Sequence, residues 1–436
     1  MSRIVRALSS RRAEQAITVA LFLIGAGIRL WFVLDVHRPA EHVASDMWVY
    51  DFRARRLLHG QYDLWDTFTP VGYPAFLALV YATFVKGQAA VGVVQSVLGG
   101  ATAALAHRIA LRVGSGGGAA ALAGLIVAGD VALVFYSGLL LSEAPFAFVL
   151  ALSVWLLLRA IERPGWGSGI IAGIAAGIGT VIRPNLLMAW PLVLLPLWLA
   201  LRPDRRALFV LLGRLALGAL PPVSAAIVHN SRIAGQPAAL GTNGGLNFFL
   251  NFAEVSSVHY KEGAHTHYIA PIPNLIRYKR EYWSPRPFYD ERYFYREGFA
   301  LIRRRPARLW RALDNVVEGA GAGQQDYWPG WPEQDRLLKG WSRWFFRLAI
   351  VPATLGFAFL LLSLRFLRKE HAPRLLLGVC VLSSFLVLWL FLGDPRVRVP
   401  FDPLIVVLGA DAVAIAVLWT KRRAVARWRA RYPQKS

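Results

Sequence analysis

A single cysteine, Cys380, leaves the chain unable to form an intramolecular disulfide, and a disulfide scaffold is excluded. Acidic residues are also scarce: 26 Asp and Glu stand against 49 Lys and Arg, a net charge of +23. Such an excess could serve nucleic acid. The basic residues, however, fall in short clusters between apolar runs and form no stripe interleaved with aromatics, so a nucleic-acid partner is set aside. No internal repeat is visible. What the chain has in excess is apolar: 56% of residues are hydrophobic and the mean hydropathy is +0.43, too apolar for a soluble globule. It is an integral membrane protein, with lipids as its surroundings.

The basic clusters order the apolar runs. Arg3, Arg6, Arg11 and Arg12 precede Ile17 to Leu34, a stretch of about 27 Å as a helix, enough to cross the hydrocarbon core. It reads as an uncleaved anchor with a cytoplasmic N-terminus. Tyr73 to Val85 is only about 20 Å long as a helix and is placed on the outer surface. Every later loop then alternates correctly: His107, Arg108 and Arg112 inside, Ser142-Glu143 outside, Arg159 and Arg163 inside, Arg183-Pro184-Asn185 outside, Arg202 to Arg206 inside, and a long external segment from His229 to Arg343. The last runs put Arg365 to Arg374 inside, Gly393-Asp394-Pro395 outside, and a basic tail inside. The expectation is an all-α polytopic protein of about ten spans in three parts. Residues 1–228 form an N-terminal membrane module holding the first external loop (35–88), 229–343 an external segment with surface helices, and 344–436 the last spans and tail.

The first external loop is the most informative stretch. Some fifty residues are far more than a connector needs. Asp46, Asp51, Asp63 and Asp66 sit there among Trp48, Tyr50, Tyr62 and Trp65, before the run Pro70-Val71-Gly72-Tyr73-Pro74. Carboxylates and aromatics at a membrane surface suggest a site. Within the apolar runs, Gly169, Gly173 and Gly177 repeat every four residues and predict close helix packing. Cys380 reads as a small packing residue. Asp130 and Asp411 are ionisable groups inside spans and need partners, whether structural or functional. In the external segment Tyr289 to Val317 reads as a basic helix interrupted at Pro306, suited to anionic head groups. His265-Thr266-His267 near Glu262 is a weak metal signal.

These motifs together resemble the GT-C superfamily of membrane glycosyltransferases. Asp46-x-x-x-Tyr50, the Pro70 to Pro74 run, Ser142-Glu143, Arg183-Pro184, Asn243-Gly244-Gly245-Leu246-Asn247-Phe248 and Arg396-Val397-Arg398-Val399-Pro400 occur in order and on one face. The likeness is to the bacterial branch related to aminoarabinose transferases and protein O-mannosyltransferases, which use polyprenyl-phosphate sugars. It implies a GT-C-like bundle with juxtamembrane helices in the first external loop. It also implies a hexosyl- or pentosyltransferase of the plasma membrane, working on its external or periplasmic face. A polyprenyl-phosphate sugar would be the donor, and a glycan, lipid or protein of the envelope the acceptor. Asp46 becomes the catalytic base, Glu143 the second acidic residue, Arg398, with Arg396 close behind, the donor-phosphate contact, and Tyr50, Arg183 and Asn247 further substrate contacts. Two departures stand out: Asn251-Phe252 replaces the usual Gly-Asn after the Asn247 motif, and Met47 replaces a second carboxylate beside Asp46. The latter weakens a mechanism built on a metal pair, and no cofactor is required, though a divalent metal is compatible. The competing classes are a lipid-linked-sugar transporter or flippase and a non-catalytic envelope assembly protein. A transporter would show pseudo-symmetric halves and midplane polar residues, whereas here the polar chemistry lies in outer loops.

Overall fold

The computed structural model describes residues 11–84, 87–163, 165–202, 204–269, 279–321, 332–362, 368–391 and 393–431. Arg3, Arg6, Val85 and Arg365 of the sequence reading lie outside them. The described elements are α1 (Arg11–Trp31), α2 (Asp46–Leu58), α3 (Gly72–Thr83), α4 (Gly87–Val113), α5 (Gly117–Ala128), α6 (Val131–Ser137), α7 (Glu143–Glu162), α8 (Trp166–Ile182), α9 (Ala189–Leu201), α10 (Arg205–Ala234) and α11 (Gly244–Ala253). Strands β1 (Ser257–Glu262), β2 (His265–Ile269) and β3 (Glu281–Ser284) follow. Then come α12 (Glu291–Arg304), α13 (Ala307–Arg311), α14 (Leu313–Gly319), α15 (Pro332–Phe345), α16 (Val351–Leu362), α17 (Ala372–Leu390), α18 (Pro395–Arg398) and α19 (Asp402–Arg431).

Among the described residues, 8 helices are long and apolar enough to cross a membrane. The pair α5 and α6, bent by 44° at a short break, passes the same test when taken together and would make a ninth. The tenth expected span is α8, whose 17 residues fall just short at about 25 Å. The short α3 fails the length test, as expected of a helix that does not cross. Loop ends sort onto two faces. Asp46, Glu143, Arg183 and Arg396 meet at one end of the bundle. Arg112 pairs with Glu162, and Arg374 with Asp411 beside Ser115, at the other.

The breaks and close approaches follow from particular residues. Where α5 ends, its last carbonyls lose their helical partners and need donors in an apolar surrounding. Arg29, fully buried on α1, donates to the carbonyls of Ala128 at 2.7 Å and Val127 at 3.1 Å, while Asp130 caps α6 by accepting from the Leu133 N–H at 3.1 Å. Asp411 likewise accepts from Arg374 at 2.7 Å and Ser115 at 2.9 Å. Both intramembrane aspartates thus have structural roles, and Cys380 is buried in the core. The Gly169, Gly173 and Gly177 face of α8 packs on α10. A methyl at Gly173 would lie 2.2 Å from the Leu215 carbonyl oxygen, whereas one at Gly213 would meet nothing within 4 Å. Gly173→Ala is therefore expected to destabilise the purified protein by about 1–3 kcal/mol, the range of overpacking, with Gly213→Ala neutral or slightly stabilising. Thermal midpoints in detergent compare them, and equal midpoints would refute the close packing.

The segment after α10 is not purely helical. β1 pairs antiparallel with β2 and parallel with β3, giving the order β2-β1-β3. Helix α10 runs to Ala234, beyond the expected boundary at 228. The Tyr289 to Val317 stretch forms α12 and α13 on either side of Arg305 and Pro306, then α14. This segment docks on the Asp46 face: the Thr242 N–H donates to the Thr67 carbonyl at 2.9 Å, and Asn251 donates to the Trp389 carbonyl at 2.9 Å.

Candidate active site

The first loop folds by its own salt links before it offers anything to a substrate. Arg53, buried on α2, donates to the Thr69 carbonyl at 2.9 Å and pairs with Asp66, tying the helix to the turn that leads into α3. Asp63 accepts from the Trp65 N–H at 3.0 Å, and the Asp63 N–H donates to Asp66 at 2.8 Å, closing a capping box. Asp51 accepts from Tyr81 at 2.5 Å and Arg55 at 2.9 Å. Burial works against its charge, but these hydrogen bonds outweigh it and hold the Asp51 carboxyl below its ordinary value. Asp51, Asp63 and Asp66 are thereby committed to structure. Asp46 is the one that turns toward the other loops.

Asp46 opens α2 directly after Ser45, whose φ of +49° is rare outside glycine. Backbone strain of this kind costs about 1–3 kcal/mol and persists where the surroundings demand it. Here it aims the first turn of α2 at Arg396. The Arg396 Nη1 donates to Asp46 Oδ2 at 3.0 Å and its Nε to Glu143 Oε1 at 2.7 Å. Arg183 joins from the end of α8, with Nη2 3.4 Å from the same Glu143 oxygen and Nη1 donating to the Arg396 carbonyl at 3.2 Å. The site is graded in depth: the Glu143 side chain is 0% exposed, Arg396 14% and Asp46 48%. The second Glu143 oxygen is buried and has no hydrogen-bond partner among the described residues.

The frame beneath explains the Pro70 to Pro74 run. Gly72 lies against the backbone of Val181 and Ile182, just before Arg183. Tyr73, buried, donates to Gln95 at 3.1 Å, and Gln95 in turn donates to the carbonyls of Ser137 and Leu139, in the turn before Glu143. Tyr50 packs edge-on against Tyr73 with centroids 5.1 Å apart. Burial first, and then the Asp46 charge, push the Tyr50 phenol up to about 12, so it is a protonated donor at neutral pH. Asp394 begins the turn carrying Arg396, accepts its N–H at 2.9 Å, and is pushed above the usual carboxylate range by burial.

Asp46, Tyr50, Glu143, Arg183 and Arg396 thus come together. Arg398 does not join them: it is fully buried, 3.4 Å from Asp402 and 5.0 Å from the Phe345 ring centre. The helical turn at Pro395–Arg398 sends residues two apart in different directions, so only one of the two arginines can face the cluster. Asn247 sits on α11, which packs on α12, and forms no hydrogen bond or ion pair with the cluster among the described residues. Gln95 and Tyr73 were missed as positioning residues because a polar residue inside an apolar run gives no hint of its partner. Among the described residues no three His, Cys, Asp or Glu side chains gather as a metal site. His267 pairs instead with Glu262 at 3.0 Å and stacks on Trp65.

Comparison with known proteins bears on the fold and on part of the chain. Residues 69–229 match the family model of dolichyl-phosphate-mannose-protein mannosyltransferases. No curated protein matches the chain in sequence. Among solved structures, the archaeal oligosaccharyltransferase AglB from Archaeoglobus fulgidus, in complex with an inhibitory peptide and a dolichol-phosphate, is 14% identical and matches 96% of this chain and 52% of its own, with a TM-score of 0.50. ArnT from Cupriavidus metallidurans, bound to undecaprenyl phosphate, is also 14% identical, over 91% of this chain and 77% of its own, with a TM-score of 0.39. The chain spans about half the length of AglB. The likeness to AglB shows the fold alone, that of a polytopic helical membrane protein, and residues 69–229, matched by the mannosyltransferase family model, carry Glu143 and Arg183.

Proposed function

We propose that this protein transfers a sugar from a polyprenyl-phosphate donor to a glycan, lipid or protein of the cell envelope, on the external face of the inner membrane. The observation that carries the reading is the guanidinium of Arg396 bridging the buried Glu143 and the half-exposed Asp46. A guanidinium prefers a phosphate that it can grip through parallel hydrogen bonds. The arriving donor phosphate competes with Asp46 for Arg396, and the released carboxylate becomes the base. Asp46 then takes the acceptor hydroxyl proton as the acceptor oxygen bonds to the anomeric carbon. The bond from that carbon to the phosphate oxygen breaks, and polyprenyl phosphate leaves with its new charge held by Arg396, with Arg183 behind it. The Tyr50 phenol and, once Arg396 turns to the phosphate, the unmet Glu143 oxygen beneath it bind sugar hydroxyls in this reading. Within the cluster, Asp46 is the exposed carboxylate and Glu143 the buried one, so a single displacement with inversion fits better than a double displacement, which would need a second carboxylate as nucleophile. Support for the donor class comes from the mannosyltransferase family match and from AglB, solved with a dolichol-phosphate.

Mass analysis of lipid-linked sugars and envelope glycans, with and without the protein, tests the proposal. The donor is expected to accumulate and one glycan residue to disappear. Unchanged lipid-linked sugars and unchanged glycans would overturn it in favour of a non-catalytic role.

A further inference from the structure

On the face opposite Asp46, helices α1, α4 and α7 leave a groove of about 330 Å³ between them. That lies within the roughly 300–1,000 Å³ of small-molecule sites. The small side chains of Ala101 and Ala104 on α4, facing the larger Phe22 and Leu152, leave room for the groove. A hydrogen bond of 3.0 Å between Thr18 and His107 closes one wall. From Arg108 to Ala101 the trough runs about 10 Å along α4 toward the middle of the membrane.

One end is charged. Arg108 lines the groove half-buried and makes no ion pair or hydrogen bond among the described residues. The two neighbouring arginines are already engaged: Arg112 and Arg159 each lie 5.6 Å from the centre of the Trp155 ring, and Arg112 also pairs with Glu162. Trp155 lines the groove too, and its indole N–H is buried with no hydrogen-bond partner. An apolar trough with the stem of an arginine in its wall and that arginine's charge at its rim has the chemistry of a lipid tail joined to an anionic phosphate head.

We propose that this groove binds one phospholipid with an anionic head group, its acyl chain along Ala101 and Ala104 and its phosphate at Arg108. Anionic head groups are favoured over zwitterionic ones, because an added ammonium would meet Arg108, Arg112 and Arg159. Basic pockets between membrane helices recognise anionic lipids in this way. The site is separate from the Asp46 cluster and does not depend on the transfer reaction.

Native mass spectrometry of the purified full chain, with phosphatidylglycerol or phosphatidylcholine of matched acyl chains added, tests the site. Wild type is expected to retain phosphatidylglycerol about fivefold better, the factor for one basic group at an anionic surface. Arg108→Gln should abolish that preference and Arg108→Lys should keep most of it. Ala104→Phe, which fills the trough, should lower retention of both lipids; a thermal midpoint near wild type shows that each variant is folded. Equal retention of the two lipids by wild type, or an unchanged preference in Arg108→Gln, would overturn the proposal. Displacement of the lipid by soluble glycerol phosphate at equal concentration would do the same, since the site would then serve the free phosphate ester.

Discussion

Asp46→Asn is expected to lower transfer by at least about a hundredfold in a purified assay, while folding and donor binding stay near wild type, because a positioned base contributes roughly 10² to 10⁴ in rate. Asparagine keeps the shape and can still lie beside Arg396, but it has no basic lone pair to take the acceptor proton. The pair is half-exposed and contributes little to stability, in the range of about 0–1 kcal/mol for exposed ion pairs, so the variant should fold. The other loop aspartates provide the contrast. Asp66→Asn weakens the tie to buried Arg53 and should lower the thermal midpoint more than Asp46→Asn does, with activity falling only as folded protein is lost. Full activity of Asp46→Asn would remove the base assignment, and a retained anomeric configuration in the product would remove the single displacement.

That Asp46 stands apart from its neighbours was not legible from composition. Four aspartates in one aromatic loop look alike until Asp51 is found under Tyr81 and Arg55, and Asp63 and Asp66 are found in a capping box. Motif order pointed to Asp46; geometry supplied the physical reason. The alternation of basic clusters could be read from the sequence because it depends only on which helix ends carry arginine, and among the described residues Arg112 and Arg374 lie at the end away from Asp46. The four-residue glycine repeat in α8 was legible for the same reason: a one-dimensional pattern that maps onto one helix face. Long-range partnerships were not. Arg29 meets the carbonyls beside Asp130 across 98 and 99 residues, and nothing local in either stretch announces the other. The choice between Arg396 and Arg398 was equally hidden, since it turns on side-chain direction in a single helical turn. The three short strands were missed because their polar, partly exposed residues show no clean alternation.

Arg396→Ala should have the broadest consequence of any single change at the site, removing transfer and destabilising the fold by about 3–5 kcal/mol, the cost of leaving one member of a buried ion pair uncompensated. Glu143 is 0% exposed and takes its closest hydrogen bond from Arg396 at 2.7 Å; Arg183, at 3.4 Å, is a weaker substitute. Arg396→Lys should recover part of the stability and little of the transfer, because one ammonium on a flexible stem cannot bridge Glu143 and Asp46 while gripping a phosphate. The informative variant is Arg396→Ala combined with Glu143→Gln. Neutralising both partners removes the orphaned charge, so the thermal midpoint should return toward wild type, with a coupling of about 0.5–3 kcal/mol for groups in direct contact. Transfer should stay absent, since the cation for the departing phosphate is still missing. Stability and chemistry then separate at one residue: Glu143 makes Arg396 necessary for folding, and the phosphate makes it necessary for reaction. Unchanged donor affinity in folded Arg396→Lys and in the double variant would refute the phosphate role, and additive midpoint shifts across the cycle would refute the coupling to Glu143.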